Sequence, residues 1–234
     1  MSSKLTTLMC GALVMGAVAL AGSVPAVAGN YNGNFMIRLQ ATDLLTQDQL
    51  KSLDSSAPAL DLKAAGYDAK VSDVILPTAT LTYFLNKNLA VELLCCFSQH
   101  SVELYHPSGA DLGSVANAWI FPPALTLQYH IDAKGFKPYV GAGLQYVHFF
   151  GTGVGDNPVA AESVSFSDAW GPIVQAGVDV ELGKGFYLNA DVKKSWLDTT
   201  VTWHNSVLGD IEAKDSLDPL VVSLGIGYRF DLFK

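Results

Sequence analysis

The sequence predicts an all-β fold: one eight-stranded, antiparallel, up-and-down β-barrel built to cross a membrane. Three observations lead there. Eight segments show side-chain alternation with a period of two, the mark of a strand with two unlike faces. The connections between them run long, short, long, short, long, short, long, which matches a bacterial membrane barrel with short periplasmic turns and long outer loops. The last segment, 220–230, sets Leu220, Val222, Leu224, Ile226, Tyr228 and Phe230 on one face. In water that face is an aggregation hazard; in lipid it is required.

The segments follow in order. In 34–41, Phe35, Ile37 and Leu39 alternate with Met36, Arg38 and Gln40. A mid-strand arginine opposite an apolar face fits a polar lumen. Residues 42–73 lack a strand rhythm and read as the first outer loop, with Leu50 and Leu53 spaced for a short helix over 46–53. Pro77 opens the second strand, where Ala79, Leu81 and Tyr83 oppose Thr78, Thr80 and Thr82. After Asn86-Lys87-Asn88, the third sets Leu89, Val91, Leu93 and Cys95 against Ala90, Glu92, Leu94 and Cys96. Residues 98–118 form the second outer loop.

The central hairpin, FPPALTLQYHIDAKGFKPYVGAGLQYVHFF, supplies strands four and five around the turn Asp132-Ala133-Lys134-Gly135. Leu125, Leu127 and Tyr129, and then Val140, Ala142, Leu144 and Tyr146, make its apolar faces. A soluble ligand-binding barrel would turn these faces inward. Tyr129 and Tyr146 near the strand ends, and Gly141 and Gly143 on the other face, favour a membrane wall around a crowded lumen. Residues 151–167 are the third outer loop. Gly151-Thr152-Gly153-Val154-Gly155 is not a dinucleotide fingerprint, since it lacks the spacing and precedes no helix.

Strand six alternates Val174, Ala176, Val178 and Val180 with Gln175, Gly177, Asp179 and Glu181. After Gly183-Lys184-Gly185, strand seven sets Phe186, Leu188, Ala190 and Val192 against Tyr187, Asn189, Asp191 and Lys193. Its threonine-rich continuation, 196–204, is expected to reach beyond the membrane. Residues 205–216 form the fourth outer loop before strand eight.

Composition sets the bounds. The chain has 234 residues and a net charge of −8. The acidic balance argues against nucleic acid. Residues 1–28 read as a signal peptide: Lys4, an apolar run over 5–20, and the cleavage signal Ala26-Val27-Ala28. Residues 29–234 are then a single barrel domain. Cys95 and Cys96 are adjacent on one strand and point to opposite faces, which excludes a bridge between them.

Several quoted stretches carry a family likeness. FPPALTLQYH with KPYVGAGLQYVHFF, VELL at 91–94, DAWG with QAGVD over 168–179, and LDTT, SLDP and GYRF over 197–230 together resemble the outer membrane protein W (OmpW) family. The resemblance spans nearly all of the mature chain. It implies an outer-membrane barrel associated with passage of small hydrophobic compounds, partnered by membrane lipid and the barrel assembly machinery. It also implies that Leu94, of VELL, faces a lumen constriction. The family can place a tryptophan opposite; here that position is Lys193, which makes the constriction more polar.

The candidate path residues are therefore Leu94, Lys193, Glu92 and Asp191. Lumen charges must pair, because an unpaired buried charge is costly. They form either a salt-bridged plug or the lining of a route. Pro77, Pro122, Pro123, Pro172 and Pro219 stand near the outer starts of strands two, four, six and eight. Proline gives no ladder donor, so these positions read either as tolerated strand starts or as a locally weakened rim that lets an apolar molecule leave sideways. No catalytic residue, cofactor or metal is expected: His100, His106, His130, His148 and His204 are scattered, with no metal-ligand spacing and no nucleophile placed beside a base. Two rivals to transport remain open, a receptor barrel whose long loops bind partners and, more distantly, an enzyme acting on lipid.

The family closes at GYRF, and four residues follow it here. Phe230 is expected to be the closing aromatic, so deleting residues 231–234 should leave assembly intact. Loss of the heat-modifiable folded band on gels would show instead that Phe233 is the residue the assembly machinery reads.

Overall fold

The computed structural model describes residues 33–47, 49–56, 63–131, 133–156, 160–206 and 209–231. The predicted signal peptide, Asp132 and residues 232–234 lie outside them. Among the described residues the strands are β1 (Phe35–Leu45), β2 (Gln49–Ser55), β3 (Asp68–Val71), β4 (Val74–Phe84), β5 (Leu89–Cys95), β6 (Ser98–Tyr105), β7 (Asp111–Phe121), β8 (Ala124–His130), β9 (Phe136–Gly153), β10 (Ser163–Phe166), β11 (Ala169–Gly183), β12 (Phe186–Ser195), β13 (Asp198–Ser206), β14 (Gly209–Ser216) and β15 (Leu220–Phe230).

Eight of them close a barrel in the order β1-β4-β5-β8-β9-β11-β12-β15, with β15 pairing back onto β1. All neighbours are antiparallel. Closure leaves no edge, which is what allows a sheet to stand in hydrocarbon. The alternation falls as the sequence predicts. Leu39, Leu81, Leu125, Val140 and Ile226 are exposed, while Arg38, Thr80, Glu92, Gln128, Asp179 and Asn189 are buried. Cys95 faces out and Cys96 in. The short turn after β11 uses Gly183 and Gly185 at φ of 97° and 84°, a region that favours glycine.

The predicted outer loops are corrected by the structure. They are largely strands that carry the wall outward as two further sheets. One runs β3-β6-β7-β9, the other β10-β13-β14-β2. β13 is the expected extension of strand seven. The expected helix over 46–53 is not formed, and β2 runs there instead. Its pairing with β14 slips between Lys214 and Asp215, so Ser52 meets Lys214 and Leu50 meets Asp215. Lys51 is the extra residue of a β-bulge, and Leu50 and Leu53 both turn inward despite their odd spacing. β7 does the same: the register slips beside Val115, and Val115 and Ala116 are both buried.

The two outer sheets face each other over an apolar core that includes Leu53, Val102, Val164, Val201 and Ile211. Trp203 ties them, its indole N–H donating to the Val115 carbonyl at 2.7 Å.

Within the barrel, glycines let backbones approach. A Cβ on Gly143 would lie 1.9 Å from the Leu125 carbonyl oxygen, and one on Gly225 2.1 Å from that of Leu39. Gly143→Val is therefore expected to abolish the heat-modifiable band of protein refolded in detergent, while Ala142→Val, on the lipid face, leaves it intact. A folded Gly143→Val barrel would refute this packing.

Candidate functional site

The lumen is stratified. In its middle the inward positions of β1, β5, β11 and β12 are charged, and Arg38 binds them together. Its guanidinium grips Asp179 with two donors, Nε to Oδ1 at 3.0 Å and Nη2 to Oδ2 at 2.7 Å. Nη1 donates to Glu92 Oε2 at 2.7 Å and to Thr82 Oγ1 at 2.6 Å. The fork geometry of arginine suits this bidentate grip. Lys193 Nζ bonds Asp191 and stands 3.3 Å from Glu92 Oε1. The Tyr139 hydroxyl donates to Asp191 Oδ2 at 2.7 Å. Asn189 donates to Asp179 Oδ1 at 2.8 Å and accepts from Gln40 Nε2 at 2.7 Å.

Arg38, Glu92, Asp179, Asn189, Asp191 and Lys193 are each less than 5% exposed. A water-wide channel at this level would expose them, so the layer is a plug. Its stability rests on pairing, because breaking one partner of a buried ion pair strands the other charge.

Above the plug sits an apolar floor of Leu94, Ala124 and Ile173. Ile120, Val147, Ala169 and Leu197 follow. Higher still, a cavity opens between the two outer sheets, lined by apolar residues such as Val102, Phe149, Val201 and Trp203, with Pro122, Gln145 and Pro219 also in its wall. Among its few polar groups is His100, whose Nδ1 lies 3.0 Å from the Ser72 carbonyl oxygen and whose Nε2 lies 3.0 Å from Ser98 Oγ. Burial pushes this imidazole below its usual range, against smaller raising effects of Ser72 and Asp73. The cavity wall therefore stays uncharged at His100 near neutral pH.

On the outside of the barrel a groove is lined by Leu93, Pro123, Ala124, Leu125, Leu144, Gln145, Tyr146 and Trp170. Gln145 belongs to both cavity and groove. Here the wall is thin. The β5–β8 ladder ends at Leu94↔Ala124 and the β6–β7 ladder begins at Ser98↔Ile120. Between them residues 95–97 face 121–123 with no ladder pairs.

The site residues read from the sequence thus fall in different layers. Glu92, Asp191 and Lys193 come together in the plug. Leu94 packs with Ala124 and Ile173 above them and does not share a layer with Lys193. Pro122 and Pro219 face the cavity and Pro123 the groove, while Pro77 and Pro172 point outward from within β4 and β11. Carbonyls of Pro123, Pro172 and Pro219 still accept, from Tyr146, Trp196 and Ser195. The outer cavity and the Ser98–His100 pair escaped the sequence reading, because β6 opens Ser98-Gln99-His100-Ser101, polar on both faces, and the bulge at Val115 interrupts the alternation of β7. Among the described residues no group of three His, Cys, Asp or Glu is placed to hold a metal.

A closed eight-stranded barrel with a lipid-facing apolar band, short turns at one end and extended sheets at the other is an integral outer-membrane β-barrel protein. The profile of the OmpW family matches residues 31–230, and the chain belongs to that family. Among curated relatives, outer membrane protein AlkL of Ectopseudomonas oleovorans is 30% identical over 210 residues, 88% of this chain and 86% of that one. The dibenzothiophene metabolism operon protein PahQ of Pseudomonas aeruginosa is 33% identical over 125 residues, 52% of this chain and 54% of that one. The crystal structure of OprG from Pseudomonas aeruginosa superposes with a TM-score of 0.77 at 25% identity, covering 88% of this chain and 99% of that one.

Arg38→Met should destabilise the barrel by about 3–5 kcal/mol, the cost of breaking a buried pair, read as a lower temperature for loss of the folded gel band. Adding Asp179→Asn should recover part of that loss, because Glu92 keeps Lys193. No loss in the single variant would remove Arg38 from the centre of the plug.

Proposed function

We propose that this barrel carries small, mainly hydrophobic compounds across the outer membrane, taking them into the outer cavity and releasing them sideways into the bilayer. The observation that carries this reading is the thin wall at Gln145. The side chain separates an apolar cavity from an apolar groove, beside a stretch where the ladder is interrupted at 95–97 and 121–123. Pro122 and Pro123 stand in that stretch and have no N–H to give. Below it, the paired charges of the plug oppose an apolar solute, which would have to displace their partners to pass. The operon named in PahQ's description is concerned with an apolar aromatic compound, and this agrees with the class of solute.

The register supplies a test. Leu94↔Ala124 and Ser98↔Ile120 bracket the interruption, which sets Cys96 opposite Pro122, both buried. Pro122→Cys in a Cys95→Ser background should allow a disulfide across the weak stretch. With the bridge formed, uptake of an apolar compound by cells should fall severalfold, and reduction should restore it. If the bridge forms, the barrel stays folded and uptake is unchanged, the sideways route at this place is wrong.

A further inference from the structure

The two outer sheets differ on their outward faces. On β10-β13-β14-β2 that face carries Ser165, Thr200, Thr202, Glu212 and Lys214, and none of the exposed large hydrophobic side chains falls on these strands. On the other side Phe97, Trp119 and Phe150 are 61%, 42% and 38% exposed. They form one ledge with Phe121. Phe97 stacks on Phe121 at 4.8 Å between ring centroids and meets Phe150 edge-on at 6.4 Å. Trp119 is the ladder partner of Phe150, and Phe121 that of His148.

The ledge continues the line of the lipid-facing band, with His148 between Tyr146 and Phe150. Along β9 the outward positions run Val140, Ala142, Leu144, Tyr146, His148, Phe150. Tyr146 pairs with Trp170 on β11, and both are exposed. That pair has the composition of an interfacial girdle. Phe150 lies four residues further along β9, about 13 Å of strand. With the usual strand tilt this is a climb of about 10 Å, comparable to or greater than the ~5–8 Å that one leaflet's headgroup layer adds to the hydrocarbon. Polar groups stand between the rings: Gln99 is the ladder partner of Trp119, and His148 Nδ1 lies 3.0 Å from Asp168 Oδ1. Aromatic rings interleaved with hydrogen-bonding side chains suit the boundary between acyl chains and headgroups.

We propose that the aromatic ledge Phe97–Trp119–Phe121–Phe150 is a lipid-binding face, on which outer-leaflet lipid climbs about 10 Å higher than on the opposite, polar sheet. The barrel then sits tilted toward β6-β7-β9. The surface stands independently of the transport reading, but it has a consequence for it. The groove at Pro123 lies directly below the ledge, so the tilt keeps the mouth of the groove inside the hydrocarbon.

The test uses the full chain refolded into phosphatidylcholine vesicles, with Cys10→Ser, Cys95→Ser and Cys96→Ser as background. A polarity-sensitive dye is placed at Gln99→Cys, beside Trp119, or at Thr202→Cys on the opposite sheet. Phosphatidylcholine nitroxide-labelled high on the acyl chain should quench the dye at position 99 at least about threefold more than at 202, and aqueous iodide should show the reverse order. Combining Phe97→Ser, Trp119→Ser and Phe150→Ser should erase the difference while the folded gel band persists. Iodide quenching both sites equally, with no nitroxide effect at 99, overturns the proposal. Protection of position 99 from both quenchers, lost when protein is diluted in lipid, also overturns it and makes the ledge a contact between copies. Unchanged apolar uptake in the ledge variant would leave the transport reading standing, and lost uptake in the bridged Pro122→Cys variant would leave the ledge untouched.

Discussion

A strand in hydrocarbon has no water to satisfy its backbone, and the remaining features follow from that constraint. The ladder must close, so β15 returns to β1. A closed eight-stranded wall has one face in lipid and one in a lumen barely wide enough for side chains. Alternation then puts every second residue into that narrow space. Where the wall bends so sharply that a Cβ would strike the neighbouring strand's backbone, the residue must be glycine, as at Gly143 and Gly225. Where the inward residues are charged, they must find partners within the lumen, and Arg38 does this for Glu92 and Asp179 together.

How much of this was legible in the sequence depended on whether the period of two stayed unbroken. Over the membrane it did, and the barrel strands, their inward and outward faces and the charged lumen could be read directly. Outside the membrane the pleat is kinked. The bulge at Lys51 put Leu50 and Leu53 three apart, a spacing that imitates a helix, and the one beside Val115 buried two consecutive residues. These bulged strands read as loops, and the apolar cavity they enclose stayed hidden. The same limit applied to the site. That Arg38 and Asp179 face inward was evident; that they grip each other across the lumen was not, because β1 and β11 are separated by β12 and β15 in the wall, and their relative height depends on the stagger of every strand between them. Leu94 and Lys193 were set at one constriction by the family resemblance; in the structure Leu94 packs with Ala124 and Ile173, while Lys193 pairs with Glu92 and Asp191.

The layering bears on the proposed route because its members oppose a solute in different ways. The plug is held by charge-assisted bonds that lose several kilocalories per mole when one partner is removed. The floor of Leu94, Ala124 and Ile173 and the cavity above it interact with an apolar solute through contact alone, at roughly 25 cal/mol per Å² of apolar surface withdrawn from water. On the proposed route a solute in the cavity therefore gains by staying among its mostly apolar walls and loses by descending.

In the proposed route the side wall is the exit, and its resistance is set by the backbone. Each ladder hydrogen bond is worth ~1 kcal/mol net, and the stretch between Leu94↔Ala124 and Ser98↔Ile120 has none to break. Moving Gln145 aside costs its bond to Ser195, again on the order of 1 kcal/mol. Unpairing Arg38 costs several times more. In the proposed route the difference between those two costs, rather than any single gate residue, sends an apolar molecule outward through the wall, and the aromatic ledge above the groove sets how deep in the bilayer that wall opens.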